Sequence, residues 1–209
     1  MLLEEILLAN AFFVHEHGDC LRKLDHRPKK QIAIFTCMDT RLVEFLEPAL
    51  GIKRGDAKII KNAGNRIREN CDDVIRSLAA AIYLLGVKEI LVIGHLDCGM
   101  SRVDEGVLRE KMLQYGVPAK EIERADLVSW IGAFSDTEGN VSEAVQKIKA
   151  HLLIPAFIPV HGMVFCPDNG ELRVIVNGYA GETDGNNVVG RTKEARAKEA
   201  KATKDEMVV

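Results

Sequence analysis

The chain has 209 residues and a mass of 23.1 kDa, which suits one domain with an appendage. Hydrophobic residues make up 47% and charged residues 28%, the balance of a folded globule and not of a disordered chain. A net charge of −3 and only 5% aromatics argue against a general nucleic-acid binder, which needs a basic stripe or stacking platforms.

Residues 2–16 place Leu2, Leu3, Ile6, Leu7, Phe13 and Val14 at roughly helical spacing and predict an amphipathic helix. Its apolar surface exceeds what a peripheral helix leaves open, so it packs either on the chain's own core or on a second subunit. No run reaches the ~20 apolar residues that a membrane span needs. Glu4 and Glu5 interrupt the apolar start and no positive segment precedes it, unlike a secretory signal. A reducing, cytoplasmic setting is therefore expected for the five cysteines at 20, 37, 71, 98 and 166. Their odd count and irregular spacing give no disulfide framework, and no C-x-x-C pair occurs.

A polar stretch, 17–30, leads into QIAIFT (31–36), a short β-rich run. RLVEFLEPAL (41–50) predicts a brief helix whose end Pro48 frays. AKIIK (57–61) is a second strand, NAGN (62–65) a glycine-containing loop, and DDVIRSLAAAIYLLG (72–86) a strong helix. EILVIG (89–94) reads as a strand buried on both faces. Helical pattern over 104–134 is interrupted by Gly116 and Pro118, and another helix is expected at 141–151. FIPVHGMVF and ELRVIV flank the turn Pro167–Gly170 as a terminal hairpin. The order predicts an α/β fold: a mostly parallel sheet flanked by helices, ending in an antiparallel hairpin. Residues 1–180 are expected to form one domain. Residues 181–209, with six Lys/Arg against six Asp/Glu, are expected to form a charged mobile tail.

Chemistry concentrates just beyond three predicted strands, at Cys37-Met38-Asp39-Thr40-Arg41, Asn62-Ala63-Gly64-Asn65 and His95-Leu96-Asp97-Cys98-Gly99. In open parallel sheets, ligands bind in the crevice beyond the carboxyl ends of the strands. A tight loop between His95 and Cys98 aims an imidazole and a thiolate at one point. Cys37, from a neighbouring strand, would complete a Cys₂His set suited to tetrahedral Zn²⁺ with a fourth position left open. Cys20, Cys71, Cys166 and His161 are the candidates for closing that position, but none has a matching short spacing. Taken singly, Cys71 and Cys166 read as small buried hydrophobes, while Cys20 carries no assignment. Asp39 either caps the following helix or pairs with Arg41, whose charge is out of place at a helix start. A forked Arg41 clamp would hold Asp39 ionised. No G-x-G-x-x-G suggests a dinucleotide enzyme, and the H-x-E with P-C-x-x-C of nucleobase deaminases is missing.

CMDTR, KNAGN and GHLDCG resemble the signature of β-class carbonic anhydrases, the small archaeal and bacterial branch most closely. The likeness runs from the N-terminal helix to about residue 178. It implies reversible hydration of CO₂ to bicarbonate and a proton by attack of zinc-bound hydroxide. It also implies one zinc per subunit on Cys37, His95 and Cys98, with Asp39 and Arg41 as the catalytic dyad. Gly99, Asn62 and Gly64 are then expected to face substrate, Gly99 through its backbone N–H. A homodimer or tetramer that exchanges N-terminal helices is implied too. Two thiolates make the metal a weaker acid than three imidazoles would, so activity should climb on the alkaline side. His26 and Lys58 are candidate proton relays with ordinary surface roles as the alternative. Relatives with the same motifs hydrolyse CS₂ or COS, and a non-catalytic zinc domain with four protein ligands is the remaining rival.

Overall fold

The computed structural model describes residues 2–18, 23–69 and 71–180, so Cys20 and the expected tail at 181–209 lie outside the described residues. Five strands form one sheet in the order β2-β1-β3-β4-β5. They are β1 Ile32–Cys37, β2 Ala57–Asn62, β3 Glu89–His95, β4 Val160–Phe165 and β5 Leu172–Val176. β1 pairs in parallel with β2 and β3, β3 in parallel with β4, and β4 antiparallel with β5. This is the mostly parallel sheet with a terminal hairpin that the sequence predicts.

From β1 the chain passes to β2 on one side and then returns to β3 on the other. The crevice at the carboxyl ends of β1 and β3 is therefore the switch point of the topology, where such sheets bind ligands. β1 and β3 each extend one residue further than their sequence pattern suggests, because parallel pairing continues. Cys37 sits opposite Asn62 and His95 opposite Phe165, and the next amides still bond: Met38 N–H to Asn62 O at 2.9 Å, Leu96 N–H to Phe165 O at 2.9 Å. Cys37 and His95 thus end strands instead of lying in mobile loops.

The helices are α1 Leu2–His17, α2 Leu46–Ala49, α3 Asp73–Tyr83, α4 Glu105–Gln114, α5 Ala119–Glu123, α6 Leu127–Ile131 and α7 Thr137–Ala150. One helix was expected across 41–50; instead a single 3₁₀ turn at Thr40–Leu42 precedes the short α2, with Glu44 at φ +55 between them. Pro48 lies within α2, in the first turn, where its missing N–H costs no helical bond. α7 begins four residues earlier than 141 because Asp136 caps it, accepting the Glu138 N–H at 3.0 Å.

One face of the sheet packs Ala33, Phe35, Ile90 and Val92 against Val74, Ile75 and Leu78 of α3 and Val141, Val145 and Ile148 of α7. The opposite face packs Ile34, Ile93 and Phe165 against Leu42 and Leu46, and no long helix among the described residues contributes to that cluster. α7 reaches the sheet closely because glycines clear its path. A Cβ on Gly94 would stand 2.6 Å from Val141 Cγ2, and one on Gly162 would stand 2.9 Å from Val141 Cγ1. Gly94→Ala is accordingly expected to cost about 1–3 kcal/mol by overpacking, read as a lower urea midpoint at unchanged slope. A wild-type midpoint would show that α7 is not held this close.

α1 stands apart in that every one of its residues is exposed, Leu3, Ile6, Leu7, Phe12 and Phe13 among them. The reading that it packs on the chain's own core is therefore not what the structure has. No helix among the described residues is long and apolar enough to cross a membrane.

Candidate metal centre

Cys37 ends β1, His95 ends β3, and Cys98 follows through a tight turn in which Asp97 takes φ +56. All three side chains are buried, and their ligand atoms lie within 4.8 Å of one another. The two sulfurs are 3.9 Å apart. Tetrahedral angles with Zn–S bonds of ~2.3 Å would separate them by roughly 3.8 Å, so the spacing fits that ion. The imidazole fits as well. His95 Nδ1 donates to Leu96 O at 2.9 Å, while Nε2 is buried with no hydrogen-bond partner. A neutral imidazole fixed this way presents Nε2 as a lone-pair donor.

Electrostatics prepare the sulfurs. Cys37 Sγ receives a hydrogen bond from Cys98 and another from Gly64 N–H at 3.3 Å, and these hold it well below the usual thiol range. Cys98 is pushed up, because it keeps the proton that the pair shares and because it is buried. Burial pulls His95 down, but the neighbouring Cys37 sulfur outweighs it and the net shift is upward. A divalent cation among these groups would displace the remaining protons, so metal uptake weakens as the solution becomes acidic.

Asp39 stands beside the cluster, its Oδ2 3.7 Å from His95 Nε2. It is turned to Arg41. Arg41 donates from its backbone N–H to Oδ1 at 2.9 Å, from Nε to Oδ1 at 3.0 Å and from Nη2 to Oδ2 at 2.9 Å. Both readings of Asp39 thus hold together: it caps the 3₁₀ turn and forms a forked ion pair. Chiefly through the Arg41 side chain, its carboxyl is held down to about 2. Because the folded value lies below the ordinary ~3.9, the pair's stabilisation is complete above that value and is lost as pH falls through about 2. Asp39 is ionised throughout the neutral range.

Sequence reasoning missed the other end of the clamp. Arg41 Nη1 donates to Asp97 Oδ2 at 3.1 Å and Nη2 to Asp97 O at 2.8 Å, and Arg102 pairs with the other Asp97 oxygen. Asp97 lies between the two spaced ligands His95 and Cys98, and that position was the available signal. Asn62 and Gly64 turn their polar groups inward. The Asn62 side chain clamps the Arg66 backbone at 2.8 and 3.0 Å, and the Gly64 N–H is taken by Cys37. Gly99 is exposed at the rim of a cavity of about 450 Å³ with Met38, Ala63 and Met100.

The remaining candidates lie elsewhere. His161 Nε2 meets Glu89 Oε1 at 3.0 Å, and its Nδ1 accepts the Gly178 N–H at 3.1 Å. Cys166 belongs to the hairpin turn, bonding Glu171 through its backbone, and Cys71 faces Asp73. Among the described residues the metal-capable cluster therefore has three members. His26, 72% exposed and paired with Asp25, travels with the segment that bonds Gly55 and Asp56, at the amino ends of β1 and β2. Lys58 sits in register with Ala33, near the same ends. Neither reaches the carboxyl-end crevice of its own chain.

A family model described as carbonic anhydrase matches residues 32–172. The crystal structure of β-carbonic anhydrase isoform I from Trichomonas vaginalis superposes with a TM-score of 0.81 at 43% identity, covering 86% of this chain and all of that one. The protein YvdA of Bacillus subtilis, whose carbonic anhydrase name is provisional, is 41% identical over 185 residues, covering 86% of this chain and 94% of its own. A carbon disulfide hydrolase of Saccharolobus solfataricus is 32% identical over 171 residues, covering 73% of this chain and 81% of its own. With its fold and most of its length in common with these proteins, the chain belongs to the β-class carbonic anhydrase family.

Proposed function

We propose that the chain is a carbonic anhydrase that uses zinc to interconvert CO₂ and bicarbonate. The observation that carries this reading is the three-ligand cluster of Cys37, His95 and Cys98 beside an ionised Asp39 that Arg41 holds away from it. When bound there, zinc supplies the Lewis acidity that makes a nucleophile of water available near neutral pH.

Cys37 and Cys98 would hold the metal through thiolates, and His95 would hold it through Nε2. Asp39 acts as a hydrogen-bond acceptor that orients the attacking oxygen's lone pair toward the substrate carbon. Held down to about 2, it is too acidic to store a proton at neutral pH, so the proton of the reaction leaves on another carrier such as buffer. Arg41 keeps Asp39 charged and aimed. Gly99 lines the cavity, where its backbone N–H would suit a substrate oxygen, and Met38 and Met100 give a small neutral molecule an apolar approach. Asn62 and Gly64 shape this pocket from behind through the bonds described above.

The likeness to a carbon disulfide hydrolase favours one alternative substrate on the same site. Stopped-flow CO₂ hydration, run beside H₂S release from CS₂ and COS, separates the two. Fast hydration with no H₂S supports the proposal, whereas H₂S release without hydration reassigns the substrate.

We further propose that the protein is a cytoplasmic homo-oligomer, at least a dimer, joined through α1. Two thiols 3.9 Å apart would be lost to oxidation outside a reducing compartment. An isolated 16-residue helix is marginal in water, and α1 leaves Leu2, Leu3, Ile6, Leu7, Leu8, Phe12, Phe13 and Val14 exposed, none of them buried against the other described residues. A second copy supplies a surface to cover them. Ile6→Asp with Phe13→Asp is expected to give monomers by light scattering on a sizing column. A variant that remained oligomeric would remove α1 from the interface.

A further inference from the structure

The metal ligand Cys37 is tied to α7, on the face of the sheet that the mechanism does not use. The link is a buried asparagine. Asn140, 2% exposed, donates from Nδ2 to Gly64 O at 2.9 Å and accepts from Arg66 Nη1 at its Oδ1, also at 2.9 Å. Glu143 holds the same Arg66 nitrogen at 2.7 Å, one turn further along α7. Since Arg66 can only donate, the Asn140 amide has one orientation, with its N–H toward Gly64.

Gly64 needs this hold. It adopts φ +71 and Asn65 adopts φ +44, two successive left-handed residues of which the second is not glycine. A Cβ at Gly64 would stand 2.9 Å from Phe134 Cε1 and 3.0 Å from Met100 Cβ. Only in this turn does the Gly64 N–H point at Cys37 Sγ, 3.3 Å away. The close approach of α7 at Gly94 and Gly162 puts Asn140, the neighbour of Val141, within reach.

We propose that Asn140 is a positioning residue of the metal centre: by fixing Gly64 it keeps an N–H on Cys37 Sγ and so sets how strongly that sulfur donates to the ion. A hydrogen bond draws electron density from a thiolate, which leaves the metal a stronger Lewis acid. The proposal rests on the metal-centre reading and deepens it. Asn140→Asp keeps the acceptor for Arg66 but turns an oxygen toward Gly64 O. Arg66→Met, at a half-buried position, keeps Asn140 but frees its amide to turn.

The test loads the full chain with Co²⁺ and records the sulfur-to-cobalt charge-transfer band, with Zn²⁺ affinity measured by chelator competition. In Asn140→Asp the band should move to longer wavelength, because the sulfur loses its hydrogen bond, and Zn²⁺ affinity should fall by about 10–100-fold, because the turn that holds Cys37 in place is no longer fixed. Arg66→Met should shift both in the same direction by less, and it decides the matter alone if Asn140→Asp does not fold. Wild-type band and affinity in the folded variants would overturn the role of Asn140. A wild-type protein without any thiolate–cobalt band would instead overturn the metal centre itself, and this proposal with it.

Discussion

Cys98→Ser is expected to purify as a folded protein without stoichiometric zinc and without measurable CO₂ hydration. Cys98 is one of three protein ligands, and its sulfur matches the softness of the other thiolate. A serine hydroxyl in its place would stay protonated near neutrality and offer only a weak neutral oxygen. The loss should far exceed the ~10–100-fold that removing a hydrogen-bonding partner of a ligand costs. The fold should persist, because the main core lies between the sheet and helices α3 and α7, on the side away from Cys98. Elemental analysis and stopped-flow assays check both halves. Full zinc occupancy in Cys98→Ser would show that the cluster is not the site.

Arg41→Ala is expected to fail differently: zinc stays while hydration falls by on the order of 10²–10⁴-fold. The Arg41 guanidinium is what keeps Asp39 from the cluster, through its Nε and Nη2 bonds. Without the guanidinium, the Asp39 carboxyl rises back toward its ordinary value and is free to turn to the metal's fourth position, 3.7 Å being the present gap from Oδ2 to His95 Nε2. Asp39→Asn should lose activity to a similar degree without that closure, since its amide binds zinc poorly. The two variants separate in inhibitor binding: small anions that take the open position should bind Asp39→Asn and be excluded from Arg41→Ala. Wild-type rates in both would remove the dyad from the mechanism, and loss of zinc from either would make it structural.

The carboxyl-end crevice could be read from residue order alone, since strands alternate with helices and each motif directly follows a strand. Cys37, His95 and Cys98 were legible for the same reason: soft donors gathered at strand ends, two of them closely spaced, point to a metal in a chain without paired cysteines. The strand ends were placed one residue early because extra parallel pairing at Cys37 and His95 depends on neighbours distant in sequence. Asn140 left no local signal, as its partners Gly64 and Arg66 lie 76 and 74 residues away. The inward turn of Gly64 was hidden likewise, since its N–H goes to Cys37 and its carbonyl to Asn140, whereas the Asn62 side chain turns to Arg66 only four residues on. α1 showed its apolar residues plainly, but its own sequence does not name the surface that would receive them.

X-ray absorption at the zinc edge tests the central claim most directly. One equivalent of zinc with two sulfurs at ~2.3 Å and two lighter atoms near ~2.0–2.1 Å is the predicted result. A shell with no sulfur, or with three or four, would contradict it.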